Sequence, residues 1–482
     1  MVRFPQAGHG IHPRNGRLER SGGVAGALFP RGRPGGAPED SGRLRPPDVA
    51  GDLRPARDRG NARRGMRVAL VTFEFPPDTP YGGIATYMTE VADMLAAAGH
   101  EVEVFCAGHA SRTERHRAGV PVHIVAGLDK DRFAEEVRPV FAARHAGRPF
   151  DIIECADING DGRVLREAFP EVPLVIKMHG PTFLCVRVNH LPLTLGQKLR
   201  FTLGALRRGR FAWLNPDQSI LHLRNRREQA LYRTADVVAS PSRDMIPIVE
   251  NEWGRRPEGI VCLPNPHSPS AALLAVPPPR RDEPILFLGR LELLKGAADL
   301  IEALRLLERS GHPVSATFVG APFPSPRRGL NMEQWAARRL RLDSGRYRFT
   351  GPVPRAEIAG HFGRCQLVVL PSRWDNFPYT CLEAMAAGRA VIAGANGGMR
   401  DMIADGVSGL LVNPSDPKAL AARIAEALAR PERLAAIGDA ARQRVITVYS
   451  AAAILPRHLG VYEQARAAAH RRRSVAAAGR LA

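Results

Sequence analysis

The chain has 482 residues, is 44% apolar and carries a formal charge of +20, which gives it length enough for two domains with cores of their own. No run approaches the roughly 18 consecutive apolar residues of a membrane-spanning helix. The charge admits nucleic acid, anionic lipid or a phosphorylated substrate as partners, but 6% aromatic residues and no recognisable nucleic-acid motif exclude specific nucleic-acid reading.

Residues 1–65 hold 13 Arg against 6 acidic residues and are rich in Gly and Pro, without apolar periodicity. This composition predicts a disordered extension. It lacks the apolar core of a secretory signal. Met66 opens an abrupt strand pattern and is expected to be the natural start, which the mass of the natural N-terminus would settle. The six cysteines are scattered with no C-x-x-C pair, so they read as buried, reduced thiols of a cytoplasmic protein.

From Met66 onward, short Val/Ile/Leu-rich runs alternate with helical periods. Strands are predicted over 67–72, 101–106, 151–154, 174–178, 237–240 and 259–263, with a helix over 84–98. Apolar strands separated by helices imply a parallel sheet covered on both faces. Residues 183–233 break the rhythm: no strand is predicted there, and a helical insertion is expected. Within it, the basic, partly aromatic stretch 197–214 could lie peripherally on an anionic inner membrane face or simply present a solvated Arg face. The Pro-rich segment 268–284 reads as a linker. The alternation then restarts, with strands over 285–288, 315–319, 347–350, 367–370 and 390–393 and helices near 297–310, 331–341, 380–387, 416–429 and 431–446. The architecture is therefore two α/β halves in tandem, with a strand order that the sequence leaves open.

Three stretches carry chemistry. In "PYGGIATY" at 80–87, Gly82 and Gly83 sit where the first strand turns into a helix, so the backbone can approach an anion at a helix N-terminus. A purely structural turn reads equally well there, and the spacing is not the G-x-G-x-x-G of a dinucleotide fold. In "FLGRLELLKG" at 287–296, Arg290 and Lys295 leave the carboxyl end of a strand, where open α/β sheets bind ligands. Two cations there can offset charge on a departing diphosphate. In "PSRWDNFPYTCLEAMAAGRAVIAG" at 371–394, Asp375 falls in a loop and Glu383 in the first turns of the helix that follows, with seven residues between them. Each carboxylate suits paired hydroxyls.

This last segment resembles the E-x7-E signature of retaining GT-B glycosyltransferases, specifically glycosyltransferase family 4. The resemblance runs over about 66–469 and takes in "GGIATY", "VIKMHG", "LPNP", "GRLELLKG" and "GGMRDMIADGVSGLLVNPSD". It implies a GT-B fold: two Rossmann-like domains whose parallel sheets face each other across a cleft. The expected boundaries are an acceptor-side domain over 66–275, a nucleotide-sugar domain over 276–450, and over 451–482 a terminal helix that crosses back to the first domain and ends in a basic tail.

The activity implied is metal-independent, retaining transfer of a hexosyl group from a nucleoside diphosphate sugar to a hydroxyl acceptor, with no cofactor and no metal ligand set. By the same resemblance Glu383 binds the donor ribose, Asp375 the sugar hydroxyls, and Arg290 and Lys295 the diphosphate. Gly82 and Gly83 line the pocket from the other half, and Asn376 and Phe377 belong to the donor loop. His179, ending "VIKMHG", falls near the donor sugar, so that the catalytic set is His179, Asp375, Arg290 and Lys295. One departure stands out, since the family's first acid is usually Glu and here it is Asp375. A sugar phosphorylase or nucleotide-sugar epimerase on the same fold, and a non-catalytic binder of anionic polymers, remain as alternatives.

Overall fold

The computed structural model describes residues 65–79, 82–189 and 218–478, with Leu203, Leu206, Arg207 and Gly209 between the last two. The extension before Gly65 and nearly all of the basic stretch 197–214, with the membrane contact expected of it, lie outside the described residues.

In the first half, eight strands form one sheet: β1 (Arg67–Val71), β2 (Glu101–Gly108), β3 (Arg112–Arg115), β4 (Pro121–Ala126), β5 (Ile152–Ala156), β6 (Leu174–Lys177), β7 (Val237–Ser240) and β8 (Val261–Cys262). Their order is β3-β4-β2-β1-β5-β6-β7-β8, all parallel except for the β3–β4 pair. Every side chain of β1, β5 and β6 is buried, as the two-sided cover of a parallel sheet requires. The hairpin β3–β4 was not among the expected strands. β3 reads RTER and is mostly exposed, a polar edge strand that leaves no apolar run to detect.

The second half holds β9 (Ile285–Leu288), β10 (Ala316–Val319), β11 (Tyr347–Gly351), β12 (Leu367–Leu370), β13 (Val391–Gly394) and the unanticipated three-residue β14 (Leu410–Val412). The order β11-β10-β9-β12-β13-β14 is wholly parallel. The chain winds outward from β9 in one direction and from β12 in the other, so the crevice for a ligand opens where these two neighbours end. There the two departing loops touch backbone to backbone. Gly296 has φ +72°, and a Cβ on it would stand 2.0 Å from the Pro371 carbonyl oxygen, so only glycine fits.

In the first half the same reversal falls between β1 and β5. The helix Gly83–Ala97 follows β1, while the helices Thr182–Asn189 and Gln218–Thr234 bracket the insertion. One apolar cluster fills each half, and a third runs beneath both, from Val68 to Leu382 and Tyr462. The terminal helix, Ala451–Ala478, lies on the first half. His458 and Tyr462 from that helix reach Glu154 of β5 at 2.8 and 2.6 Å, and Arg472 reaches Asp236 at 3.1 Å. Among the described residues no helix is long and apolar enough to cross a membrane. Cys106, Cys155, Cys365 and Cys381 are buried, whereas Cys262 is half-buried and Cys185 exposed, so the expectation of uniformly buried thiols fails at Cys185.

Candidate active site

The loop after β12 is held in shape before any ligand arrives. Arg373 makes a two-pronged bond to Asp299, both arms 2.9 Å, and its backbone N–H donates to the Leu294 carbonyl. The Trp374 indole donates to Asn376 Oδ1 at 2.7 Å, and its ring joins the apolar cluster of the first half with Met178 and Phe183. From behind, Gly397 and Gly398 press on the loop. A Cβ on either would lie 2.1 Å from the carbonyl oxygen of Asp375 or Asn376, and the Gly398 amide donates to Asp375 O at 2.9 Å.

This bracing presents Asp375 to Lys295, whose Nζ stands 2.5 Å from Asp375 Oδ2, both side chains partly exposed. Two expected site residues, eighty positions apart in sequence, thus meet at the paired ends of β9 and β12. Arg290 does not join them: it pairs with Glu292 at 2.9 Å and lies over the Phe323 ring. Its charge nevertheless reaches across to the first half, where it opposes the rise that burial imposes on the Cys185 thiol.

Asn376 makes the bridge between halves. Its Nδ2 donates to the His179 carbonyl oxygen, and Gly180 leaves room for it, since a Cβ there would meet Nδ2 at 2.4 Å. His179 and Gly180 are fixed in turn by Asp157, whose carboxylate accepts both their backbone N–H groups, at 2.8 and 3.3 Å. Burial raises the Asp157 carboxyl to about 6, and those amide bonds hold it from going higher. Burial, then the charge of Lys177, lowers the His179 imidazole to about 3, so the ring is neutral. Its Nε2 is buried and has no hydrogen-bond partner among the described residues, and its face meets the Tyr87 ring edge-on at 4.9 Å.

Gly82 and Gly83 begin the helix Gly83–Ala97, which has neither a side-chain cap nor an acid in its first turn. A Cβ on Gly82 would sit 3.0 Å from Glu74, whereas Gly83 faces open space. The amides at this helix end can therefore receive an anion. The Phe377 ring is buried against Tyr449 at 5.6 Å, where the loop turns inward toward the helix Tyr379–Ala386.

Glu383, one turn into that helix, is 6% exposed. Arg355 lies 3.0 Å from its Oε1. Burial pushes the Glu383 carboxyl up, and the charges of Arg355 and His267 oppose the rise. It lines a cavity of about 130 Å³ shared with Glu90, Arg117, His267, Ser268 and Arg355. Sequence reasoning missed Asp157, His267 and Arg355. Asp157 had a faint signal, an acid directly after a buried strand, but the other two become neighbours of Glu383 only through the packing of linker and helix. Among the described residues no three His, Cys, Asp or Glu side chains converge as metal ligands would.

Two tandem Rossmann-ordered halves, their ligand-binding strand ends brought together across a cleft, define the GT-B class of glycosyltransferases. The model of glycosyltransferase family 4 matches residues 81–270, and that of glycosyl transferases group 1 matches 275–444, so the chain belongs to the family 4 glycosyltransferases. It is similar to the D-inositol 3-phosphate glycosyltransferase of Thermobispora bispora, with 28% identity over 451 residues, covering 85% of this chain and 97% of that one. Among solved structures, sucrose-phosphate synthase from Thermosynechococcus elongatus superposes with a TM-score of 0.64 at 22% identity, covering 84% of this chain and all of the other. Anabaena HepE in complex with UDP-glucose gives 0.54 at 18% identity, covering 83% and 98%. Those two likenesses speak to the fold.

Proposed function

We propose that the protein transfers a hexosyl group from a nucleoside diphosphate sugar to a hydroxyl acceptor, with retention at the anomeric carbon and without a metal ion. The observation that carries this reading is the meeting of Lys295, Asp375 and Asn376 with the His179–Gly180 strand end, one from each side of the cleft. A donor laid there has its diphosphate beside Lys295, Arg290 and the open helix start at Gly83. Its sugar hydroxyls reach Asp375 and its ribose Glu383.

Lys295 is already paired with a carboxylate, so a diphosphate exchanges one anion for another at the same ammonium rather than desolvating a bare cation. As the glycosidic bond breaks, negative charge collects on the leaving phosphate, and fixed cations stabilise it more in the transition state than in the ground state. The neutral imidazole of His179 can accept a hydrogen bond from, or donate one to, a sugar hydroxyl, but it carries no proton to spare as an acid. The leaving phosphate then takes the acceptor proton on the same face, which gives retention with no protein nucleophile. The HepE complex with UDP-glucose supports a nucleotide-sugar donor for this family member.

The test is donor turnover by the full chain with UDP-, GDP- and ADP-sugars beside a Glu383→Ala control. Slow release of one nucleoside diphosphate, lost in the control, is expected, and the sugar first seen by proton NMR should keep the donor's anomeric configuration. No release and no calorimetric binding of any donor would overturn the reading, and an inverted first product would overturn retention.

A further inference from the structure

The cavity beside Glu383 contains a group that the reaction as proposed does not use. His267 lies in the segment joining the halves, is 2% exposed, and has no hydrogen-bond partner at either ring nitrogen among the described residues. A buried imidazole whose Nε2 has no partner and whose Nδ1 has only the Glu90 carboxylate at 3.5 Å is costly unless something occupies the space beside it. That space is the cavity of about 130 Å³, and it is polar: Glu90, Arg117, Ser268, Arg355 and Glu383 share its wall with His267.

The ring is held rigidly. The His267 amide donates to the Tyr449 carbonyl at 2.7 Å, and the ring packs edge-on against Tyr379, 6.0 Å between centroids. Glu90 accepts the Ser268 amide through Oε2 at 2.9 Å and keeps Oε1 3.5 Å from His267 Nδ1. A carboxylate on that side favours the proton on Nδ1, which leaves Nε2 as an acceptor. Glu383 is also an acceptor. The cavity thus sets two hydrogen-bond acceptors around a space of ring size, with Arg355 at the Glu383 carboxylate. Two hydroxyl donors on adjacent carbons satisfy those two acceptors.

We infer that His267 is a specificity-determining residue that reads the ribose diol of the donor, one hydroxyl bonding to Glu383 and the other to the His267 ring. This rests on the nucleotide-sugar reading of the site and adds to it a residue from the interdomain segment. Sugar selection at Asp375 and nucleoside selection here then become separable, and the enzyme distinguishes a ribose from a ring without the diol at the junction of its two halves.

The experiment is calorimetry on the full chain with UDP, ADP and GDP, followed by the 2′,3′-dideoxy counterpart of whichever binds. The comparison is repeated with His267→Ala and His267→Gln. Wild type should prefer the ribo form by tenfold or more, and His267→Ala should reduce that preference about three- to tenfold, the size of one hydrogen bond. His267→Gln should recover part of it. The ratio of two affinities is insensitive to the fraction of protein that is folded, so partial misfolding of a variant does not mimic the result. If the diphosphate binds and His267→Ala keeps the wild-type ratio, the inference fails while the donor reading stands. If no nucleoside diphosphate binds wild type, the donor reading itself fails and carries this inference with it.

Discussion

The two halves wind their strands in the same order outward from a central pair but treat charge in opposite ways. In the second half, Lys295 and Asp375 face each other at the strand ends with side chains 25% and 15% exposed, one contact apiece holding the pair. In the first half, Glu154 is 1% exposed, and both of its oxygens are taken up by Tyr87 at 2.7 Å, His458 at 2.8 Å and Tyr462 at 2.6 Å. Lys177, fully buried beside this group, donates to the Leu263 carbonyl and sits over the Tyr87 ring. A fully buried carboxylate that already accepts three bonds has little capacity left for a ligand, whereas a half-solvated ion pair can exchange a partner at little cost. The first arrangement fastens the terminal helix, and the second leaves an ion pair open to exchange.

The hardest way to break this contrast is to remove Glu154. Glu154→Ala leaves two buried hydroxyls and an imidazole without their acceptor, and should lower folding stability by about 3–5 kcal/mol, the range for breaking a buried pair. Burial alone would raise the Glu154 carboxyl, but His458 and the two tyrosine hydroxyls outweigh it and hold it at about 2. A carboxyl depressed in the folded state contributes stability above its unfolded value of about 4.3, and that stability is lost as pH falls toward 2. Urea midpoints should therefore drop across that window in wild type and less steeply in Glu154→Ala. A variant that unfolds like wild type, with the same acid slope, would show that the terminal helix is held by something else.

Lys295→Ala probes the other side. Its partner Asp375 is partly solvated, so the melting temperature should hardly move. Turnover should instead fall about 10²- to 10³-fold, the usual effect of deleting one group that stabilises leaving-group charge. Steady-state donor turnover beside a melting curve separates the two. A large loss of stability with little loss of rate would erase the distinction between the halves.

How far these roles were legible in the sequence follows from how local each one is. The strand 367–370, four apolar residues between a polar loop and a motif, announces a doubly covered strand, and the residues spaced from its end fall where the sheet delivers them. Asp375 and Asn376 follow that strand, and Lys295 and His179 follow the strands Ile285–Leu288 and Leu174–Lys177, so their positions at strand ends were legible, whereas their roles came from the resemblance. The edge strand Arg112–Arg115 was not, because an edge protects itself with the same charges that mark a loop. Phe377 follows Asn376 in a tight loop where neighbours point opposite ways, and its ring is in the core. Glu90, His267 and Arg355 come from three separate segments, and no spacing along the chain encodes that they share a wall with Glu383. Nor does the Glu154 network, whose partners lie 67, 304 and 308 residues away, leave any trace in local pattern.

The smallest expected effect concerns the one departure from the family signature. Asp375 carries a methylene fewer than the usual Glu, yet its backbone is pinned by Gly397, Gly398 and the Arg373–Asp299 clasp, so the loop cannot advance to compensate. The carboxylate is therefore set back toward Lys295, leaving extra room where a sugar hydroxyl would lie. Asp375→Glu should restore the longer reach, lowering kcat/KM on the natural donor by about tenfold or less, the effect of one displaced hydrogen bond. It should also change the ratio of rates among donor sugars that differ in a single hydroxyl, since the carboxylate now meets a different part of the ring. Competing donors in one reaction give that ratio directly. A lower rate with the ratio intact would mean that Asp375 serves only to hold Lys295. A changed ratio would place sugar choice in the exposed pair and leave the buried network of the first half without a part in it.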